Sequence, residues 1–324
     1  MPEVIPLISV RNLSKHFTSD RGWFGPRTTV KAVDGVSFDI YPGETYGLVG
    51  ESGCGKSTLG RSLLKLFDIT EGEIEFDGQN IAGLSERQLK PVRRRMQAVF
   101  QDPYSSLNPG MTVQQLIAEP MRIHGYDAER RKSRTLELLG QVGLSRDHLD
   151  RFPHEFSGGQ RQRISIARAL SVNPEFILCD EPLSALDVSV QAQVVNLLQD
   201  LQQASGLTYL FIAHDLSMVR HISDRIGVMY LGSLVEEAPA ETLYNQPAHP
   251  YTRALLASIP LADPHVQMLE QGGLKGEIAG GIGEYTGCKF ADRCPRAMEK
   301  CHRQPPQMQE ISPGHRVACW QFEE

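Results

Sequence analysis

Residues 50–58 combine glycines, a lysine and three hydroxyl side chains in the spacing of a phosphate-binding loop. This phosphate loop reads Gly50-Glu51-Ser52-Gly53-Cys54-Gly55-Lys56-Ser57-Thr58 and fits G-x-x-x-x-G-K-[ST] in full. Glycines let the backbone curl so that N–H groups face phosphate oxygens, and a helix that starts there adds its positive end. We expect Lys56 to reach the β and γ phosphates of ATP and Ser57 to bind Mg²⁺. The alternative, a chance glycine-rich corner, is disfavoured because the motif is complete and lies between a predicted strand and a predicted helix.

An acidic pair, Asp180 and Glu181, directly follows the apolar run 176–179. At the carboxyl end of a parallel strand, both carboxylates would face the ligand crevice. We expect Asp180 to hold Mg²⁺ through water and Glu181 to act as the general base on the attacking water. Such a pair is common by chance, and its order after a complete phosphate loop makes it informative.

Three other polar residues are candidates for the same site. Gln101 follows the predicted strand 96–100 and offers Mg²⁺ or water an uncharged oxygen ligand. His214 ends the predicted strand 207–213, where we favour a γ-phosphate sensor over a purely structural histidine. Asp187 either caps a helix that begins near Val188 or belongs to the site.

A second anion-binding pattern occurs in residues 157–160, which we call the serine–glycine segment. Ser157-Gly158-Gly159-Gln160 fits a capping box, so a well-capped helix is its structural interpretation. Two glycines in the first helical turn cost helix stability, however, and bare N–H groups beside a hydroxyl bind anions. One protomer has no evident use for a second phosphate-binding site, which predicts that a second copy or a relative shares it.

The order of predicted elements indicates a mostly parallel α/β sheet. We predict strands in residues 7–17, 30–49, 73–77, 96–100, 176–179 and 207–213, and a loop in residues 19–29. Helices are predicted in residues 56–67, in 112–144 with breaks at Pro120 and Gly125, and from about 188 to Gly206. From Pro247 onward proline and glycine become frequent, which places a domain boundary there.

Composition limits the functional classes. The 324 residues carry a net charge of −6, which argues against general nucleic-acid binding. No apolar run approaches the roughly 18–20 residues that span a bilayer, and the N-terminus lacks a leader pattern. We therefore expect a cytosolic chain that reaches a membrane only through a partner, with mostly reduced cysteines.

Residues 7–250 resemble the ATP-binding subunit of ABC transporters, because they carry all these motifs in that family's order. The resemblance implies a P-loop NTPase (RecA-like) ABC ATPase core of α/β class, with antiparallel β and helical subdomains and a small Cys-rich extension. It implies an ATP-binding domain in 7–246, whose helical subdomain covers about 104–165, and an extension in 247–324. Phe17 matches the aromatic residue that stacks on adenine, and Phe156 replaces the family's usual leucine.

That resemblance also implies a mechanism and partners. Two ATPase subunits would pair head to tail, with each ATP held by the phosphate loop of one and the serine–glycine segment of the other. The helical subdomain, hinged by Gln101, would dock on two permease subunits at the cytoplasmic face of the inner membrane. An extracytoplasmic solute-binding protein would complete the assembly. The alternatives are a non-transport ABC-type ATPase of DNA repair or translation and a metal sensor with a degenerate ATP site.

Residues 249–256 and 105–109 resemble one branch of the family, the ATPase subunits of dipeptide, oligopeptide and nickel importers. The match is closest to the second of the two ATPase subunits in such systems, so the resemblance implies a heterodimer with a related subunit. It implies import of di- or oligopeptides, or alternatively of nickel or another small solute.

The extension contains four cysteines, Cys288, Cys294, Cys301 and Cys319. Their spacing is wider than the C-x2-C of most zinc sites, and four thiolates also suit a 4Fe–4S cluster. The branch resemblance implies the iron–sulfur cluster, with zinc and free thiols or disulfides as alternatives. His302 and His315 are weaker candidate ligands. A small tail without a large core would use the metal to fold, so the predicted role is structural.

Overall fold

The computed structural model of the chain describes residues 5–19, 28–214, 216–258 and 285–323. These residues form two compact units. The first unit comprises residues up to 39, residues 46–82 and residues from 214 onward; the second comprises residues 40–45 and 83–213. In chain order the strands and helices are β1 (Ile8–Ser19), β2 (Thr28–Ile40), β3 (Thr45–Val49), α1 (Lys56–Leu63), β4 (Glu71–Phe76), β5 (Gln79–Asn80), α2 (Glu86–Arg95), β6 (Met96–Val99), α3 (Pro103–Ser106), α4 (Val113–Ile123), α5 (Ala128–Gln141), α6 (Gly158–Leu170), β7 (Phe176–Asp180), α7 (Val188–Ser205), β8 (Thr208–Ile212), α8 (Leu216–Ile222), β9 (Arg225–Tyr230), β10 (Ser233–Pro239), α9 (Ala240–Asn245), α10 (Pro250–Ala257), α11 (Glu299–Arg303), β11 (Gln309–Ser312) and β12 (His315–Val317).

The first unit contains two groups of strands. One is a sheet in the order β2-β1-β4-β5, in which β1 and β4 pair antiparallel. The other runs in the order β11-β12-β10-β9-β3, where β3 pairs parallel with β9 and the remaining pairs are antiparallel. The extension therefore contributes β11 and β12 to the sheet that begins with β3, the strand that precedes the phosphate loop.

The second unit is built on three parallel strands in the order β8-β7-β6. Every residue of β7 and β8 is buried, which explains their continuous apolar sequences. Helix α7 ends at Gly206, whose φ of 64° is left-handed, as the glycine signal predicts. The parallel α/β prediction is thus confirmed for these strands.

Two details of the predicted elements need correction. Pro120 does not break the helix, because it lies inside α4. The capping box of Thr112 and Gln115 and the buried side chains on one face of α4 offset the missing hydrogen bond. In the predicted loop 19–29, Ser19 belongs to β1, and Thr28 and Thr29 belong to β2. The rest of that loop lies outside the described residues.

A buried carboxylate joins three elements of the first unit. Glu236 in β10 is fully buried. Its oxygens accept hydrogen bonds from the backbone N–H groups of Ala248 (2.7 Å) and His249 (2.9 Å), and Oε1 lies 2.8 Å from Nε2 of His315 in β12. A buried charge is costly unless it is hydrogen-bonded, so these partners make Glu236 a fixed point between β10, the start of α10 and β12.

The neighbouring His249 is buried and neutral. Its Nδ1 accepts a hydrogen bond from the backbone N–H of Tyr251 at 3.0 Å and so caps α10. Burial lowers the pKa of His249 from 6.5 to about 4, against the opposing effect of Glu236. Between these two values the unfolded chain binds a proton that the folded chain does not, so the contribution to stability is complete above pH 6.5 and is lost as the pH falls toward 4.

We predict that acidification from pH 7 to pH 4 lowers the free energy of unfolding through His249. The difference between 6.5 and about 4, at about 1.4 kcal/mol per pH unit, corresponds to about 3 to 4 kcal/mol. His249→Asn keeps a capping side chain without the titrating ring and should flatten the pH dependence measured by urea unfolding. His221→Asn, at an exposed histidine of α8, is the matched control and should keep the wild-type slope. An unchanged slope in His249→Asn would contradict the assignment.

Candidate active site

The phosphate loop connects β3 to α1, and two of its glycines are required by close backbone contacts. Gly50 and Gly55 have φ values of 150° and 108°. A Cβ at Gly50 would collide with the carbonyl oxygen of Met229, and one at Gly55 with that of Ala32. The curl that the motif predicts is therefore fixed by packing of the first unit.

The lysine of the motif lies inside this curl. Lys56 is buried, and its Nζ donates hydrogen bonds to the carbonyl oxygens of Gly50 (2.7 Å) and Glu51 (3.1 Å). Helix α1 begins at Lys56 and has no acidic residue in its first turn, so Ser57 and Thr58 lie at its positive end. The loop thus combines a fixed ammonium group with a helix N-terminus, which is suited to phosphate.

Cys54 contributes to the loop through its backbone rather than its thiol. Its carbonyl oxygen accepts a hydrogen bond from the backbone N–H of Gly232 at 2.8 Å. Burial raises the pKa of the Cys54 thiol, and this effect exceeds the opposing influence of Lys56. The thiol is therefore protonated and unreactive at neutral pH.

Two further candidates of the first unit are exposed. Phe17 in β1 is 40% exposed and packs edge-to-face on Phe67, with ring centroids 5.7 Å apart. An exposed ring held by a second ring is suited to stacking on a planar base. His214 is also exposed and follows β8 in the sequence.

In the second unit the acidic pair occupies the predicted strand end. Asp180 is the last residue of β7 and is 1% exposed. Glu181 turns the chain away with a φ of 49°, which is uncommon for a residue other than glycine. Its N–H donates to the carbonyl oxygen of Ile212 (2.9 Å), and its carbonyl oxygen accepts from the Ser184 hydroxyl (3.1 Å). This strained turn, of a kind that clusters at functional sites, is a signal that the sequence does not contain.

The serine–glycine segment forms the capping box that its sequence predicts. Ser157 Oγ accepts from the N–H of Gln160 at 3.4 Å, and Gln160 Oε1 accepts from the N–H of Ser157 at 3.1 Å. A Cβ at Gly159 would collide with Val190 of α7, so this glycine has a packing role that the sequence did not reveal. At Gly158 an added Cβ would make an ordinary 3.4 Å contact, so packing does not explain that glycine.

The remaining candidates of the second unit are Asp187 and Gln101. Asp187 occupies the N-cap position of α7, but its exposed side chain makes no capping hydrogen bond. Asp187 therefore caps α7 only through its backbone carbonyl oxygen, which accepts hydrogen bonds from the N–H groups of Val190 and Gln191. Gln101 is exposed between β6 and α3.

The four cysteines of the extension are all free thiols. Burial, together with smaller contributions from the other three cysteines, raises the pKa of Cys288 to about 11, so the four side chains are electrostatic neighbours. Within the described ranges, however, no group of three or more His, Cys, Asp or Glu side chains is arranged to hold a metal ion. Nε2 of His315, a weaker candidate ligand, lies 2.8 Å from Oε1 of Glu236. The donor chemistry fits a thiolate-bound metal centre, whereas the arrangement of the side chains does not by itself show one.

A glycine-rich phosphate loop between a buried strand and a helix, together with an acidic pair after a buried parallel strand, defines the class of P-loop nucleotide hydrolases. Comparison with known proteins identifies the family. The ABC transporter family matches residues 33–184, and the oligopeptide/dipeptide transporter C-terminal region matches residues 235–301.

Three relatives come from Bacillus subtilis (strain 168). YkfD is 58% identical over 97% of this chain and 95% of its own length. The oligopeptide transport ATP-binding protein OppF is 61% identical over 80% of this chain and 84% of its own length. The oligopeptide transport ATP-binding protein AppF is 52% identical over 97% of this chain and 96% of its own length.

Solved structures agree with these relatives. The dimeric post-hydrolysis ATP-binding cassette MJ0796, bound to ADP and Pi, has a TM-score of 0.64 and 30% identity over 72% of this chain and 98% of that one. The cbiO1 protein of Clostridium perfringens has a TM-score of 0.65 and 25% identity over 74% of this chain and 91% of that one. The chain belongs to the ABC transporter family and is an ATPase that uses ATP and Mg²⁺. None of the described helices is long and apolar enough to cross a membrane.

Proposed function

We propose that this chain hydrolyses ATP to power ABC-type import of di- and oligopeptides across the cytoplasmic membrane. The observation that carries the proposal is the match to AppF, named an oligopeptide transport ATP-binding protein, over 97% of the chain, the extension included. The intact phosphate loop and acidic pair are the parts that such a motor requires.

Each candidate residue has a proposed role in ATP binding or hydrolysis. Residues 50–58 bind the ATP phosphates, and Phe17 stacks on adenine. Ser57, Gln101 and Asp180 bind Mg²⁺, and Glu181 takes a proton from the attacking water while His214 contacts the γ-phosphate. The supporting observations are the buried Lys56, the buried Asp180 and the left-handed turn at Glu181 directly after β7.

The serine–glycine segment completes the ATP site of a partner subunit, and Asp187 belongs to the nucleotide site. Helix α6, like α1, has no acidic residue in its first turn, and the exposed Ser157 stands at its start. The partner is a related ATPase subunit in a head-to-tail heterodimer. The similarity to MJ0796, a cassette whose solved structure is a dimer, supports the pairing of cassettes.

The complete assembly contains two permease subunits and an extracytoplasmic solute-binding protein, and no nucleic acid. The chain lies peripherally at the cytoplasmic face of the membrane. We assign residues 7–246 to the ATP-binding domain, about 104–165 to its helical subdomain and 247–324 to the extension.

In the helical subdomain, a surface groove of about 790 Å³ lies between residues of α4 and α5 and offers charges of both signs, including Glu119, Arg122 and Lys132. Such a groove is suited to a polar permease segment.

We further propose that the four cysteines hold a structural 4Fe–4S cluster, with zinc as the alternative. The mutual electrostatic influence of Cys288, Cys294, Cys301 and Cys319 supports this proposal. A thiolate-bound cluster would supply cross-links to a segment with few regular elements, because metal binding of this kind contributes to folding free energy.

The test of the motor is Glu181→Gln in the assembled complex, with ATP turnover and uptake of a labelled tripeptide into vesicles as readouts. This variant should bind ATP normally and lose most of its turnover, a decrease of about 10²-fold or more, together with uptake. Glu175→Gln is the control. Glu175 lies just before the first residue of β7, at the end opposite to Glu181, and forms a surface ion pair with Arg95. Full turnover in Glu181→Gln would show that Glu181 is not the general base. ATP-driven uptake of nickel instead of peptide would contradict the proposed peptide substrate.

Anaerobic purification tests the cluster. The protein should be brown, with about four irons per chain. Replacing the four cysteines with serine should remove the colour and lower the thermal stability of the extension. Colourless wild-type protein with stoichiometric zinc would rule out the iron–sulfur centre.

A further inference from the structure

Two side chains of the extension contact the phosphate loop at Glu51. The hydroxyl of Tyr251 accepts a hydrogen bond from the backbone N–H of Glu51 at 2.9 Å. The guanidinium of Arg293 donates two hydrogen bonds to the Glu51 carboxylate, from Nη1 to Oε2 at 2.9 Å and from Nη2 to Oε1 at 3.0 Å. Such bidentate pairs fix orientation as well as distance.

Glu51 is also bound from inside the loop. Its carbonyl oxygen accepts a hydrogen bond from Lys56 Nζ at 3.1 Å. The N–H, the carbonyl and the carboxylate of one loop residue are therefore all engaged, two of them by the extension. Movement of Tyr251 or Arg293 would change the conformation of the loop next to the lysine.

Buried aromatic rings hold these two side chains in place. Tyr251, Tyr230 and Phe290 pack with centroid distances between 4.6 Å and 5.5 Å. Arg293 also donates to the Tyr230 hydroxyl at 3.3 Å. The side chains of Arg293 and Glu51 are 11% and 22% exposed, so their ion pair is partly shielded from solvent and is stronger than a surface pair.

A second contact attaches the same segment to the turn behind the loop. Lys289 Nζ donates to Asp34 Oδ2 (2.9 Å), to the carbonyl oxygen of Leu231 (2.9 Å) and to Ser233 Oγ (2.7 Å). Gly232, in the middle of that turn, donates to the carbonyl oxygen of Cys54 in the phosphate loop. Residues 289–293, which separate Cys288 from Cys294 in the sequence, thus support the loop at two points.

Electrostatics gives the pair a specific role. A carboxylate within a phosphate-binding loop repels the anion that the loop must bind, by about 1 kcal/mol or more at short range. Arg293 neutralises this charge through its two hydrogen bonds to the Glu51 carboxylate. The extension therefore supplies the positive charge that makes Glu51 compatible with ATP.

We infer that Arg293 and Tyr251 are positioning residues for ATP, through which docking of the extension sets the nucleotide affinity of the phosphate loop. This inference rests on the proposed ATP site at residues 50–58. A purely structural role of the pair would lower stability and leave ATP affinity unchanged.

The test measures ATP affinity with a fluorescent ATP analogue on the purified full-length chain, and KM and kcat in the assembled complex. Arg293→Ala should raise Kd and KM about tenfold with little change in kcat. The lost pair of charged hydrogen bonds positions the loop that binds ATP and takes no part in the hydrolysis step. Arg293→Lys should be intermediate. The double variant Glu51→Gln/Arg293→Ala should recover most of the affinity, since it removes the repelling charge as well.

Two further variants make the result decisive. Arg303→Ala, at an exposed arginine of the extension paired with Glu299, is the matched control and should bind ATP like the wild type. Tyr251→Phe removes only the hydroxyl and should raise Kd by a few-fold, so the inference stays testable even if Arg293→Ala fails to fold. Wild-type affinity in folded Arg293→Ala or in Tyr251→Phe would overturn the inference. Lys56→Ala serves as the reference: normal ATP binding in that variant would instead overturn the proposed ATP site itself.

Discussion

The proposed sites of both units depend on one interaction, the binding of phosphate by backbone N–H groups at the start of a helix. Helix α1 follows the phosphate loop in one unit, and α6 follows the serine–glycine segment in the other. Neither helix has an acidic residue in its first turn, where a carboxylate would stabilise the helix but repel an anionic ligand. Glu51 is an acidic residue within the phosphate loop, and the extension pairs it with Arg293.

Rigid surroundings hold these N–H groups in place. The loop is curled because Gly50 and Gly55 press against backbone carbonyls, and the strand before it is buried along its whole length. At the end of β7, the left-handed turn at Glu181 costs on the order of 1–3 kcal/mol and persists because its hydrogen bonds to neighbouring residues fix it. Because of this turn, Asp180 is buried at the end of the strand, whereas the next residue, Glu181, is half-buried.

Local sequence signals predicted the parts of the fold that depend on neighbouring residues. The phosphate loop, the capping box at Ser157 and the strand before Asp180 each follow from residues within a few positions of one another. Pro120 was misjudged because burial of one face of α4 outweighs a local propensity. Contacts distant in sequence could not be predicted. Arg293 is 242 residues from Glu51, and His315 is 79 residues from Glu236, so no spacing pattern connects them. The two extension strands that join β10 belong to the same class, since long-range strand pairing has no local sequence signature.

The central claim is that the serine–glycine segment of one subunit completes the ATP site of another. Vanadate trapped with ADP and Mg²⁺ replaces the γ-phosphate, and ultraviolet light then cleaves the backbone next to it, so the cut positions identify the groups around that phosphate. In the assembled complex, we expect two cuts in this chain, one within residues 50–58 and one at Ser157. Cleavage confined to residues 50–58, with vanadate fully trapped in both subunits, would contradict the claim.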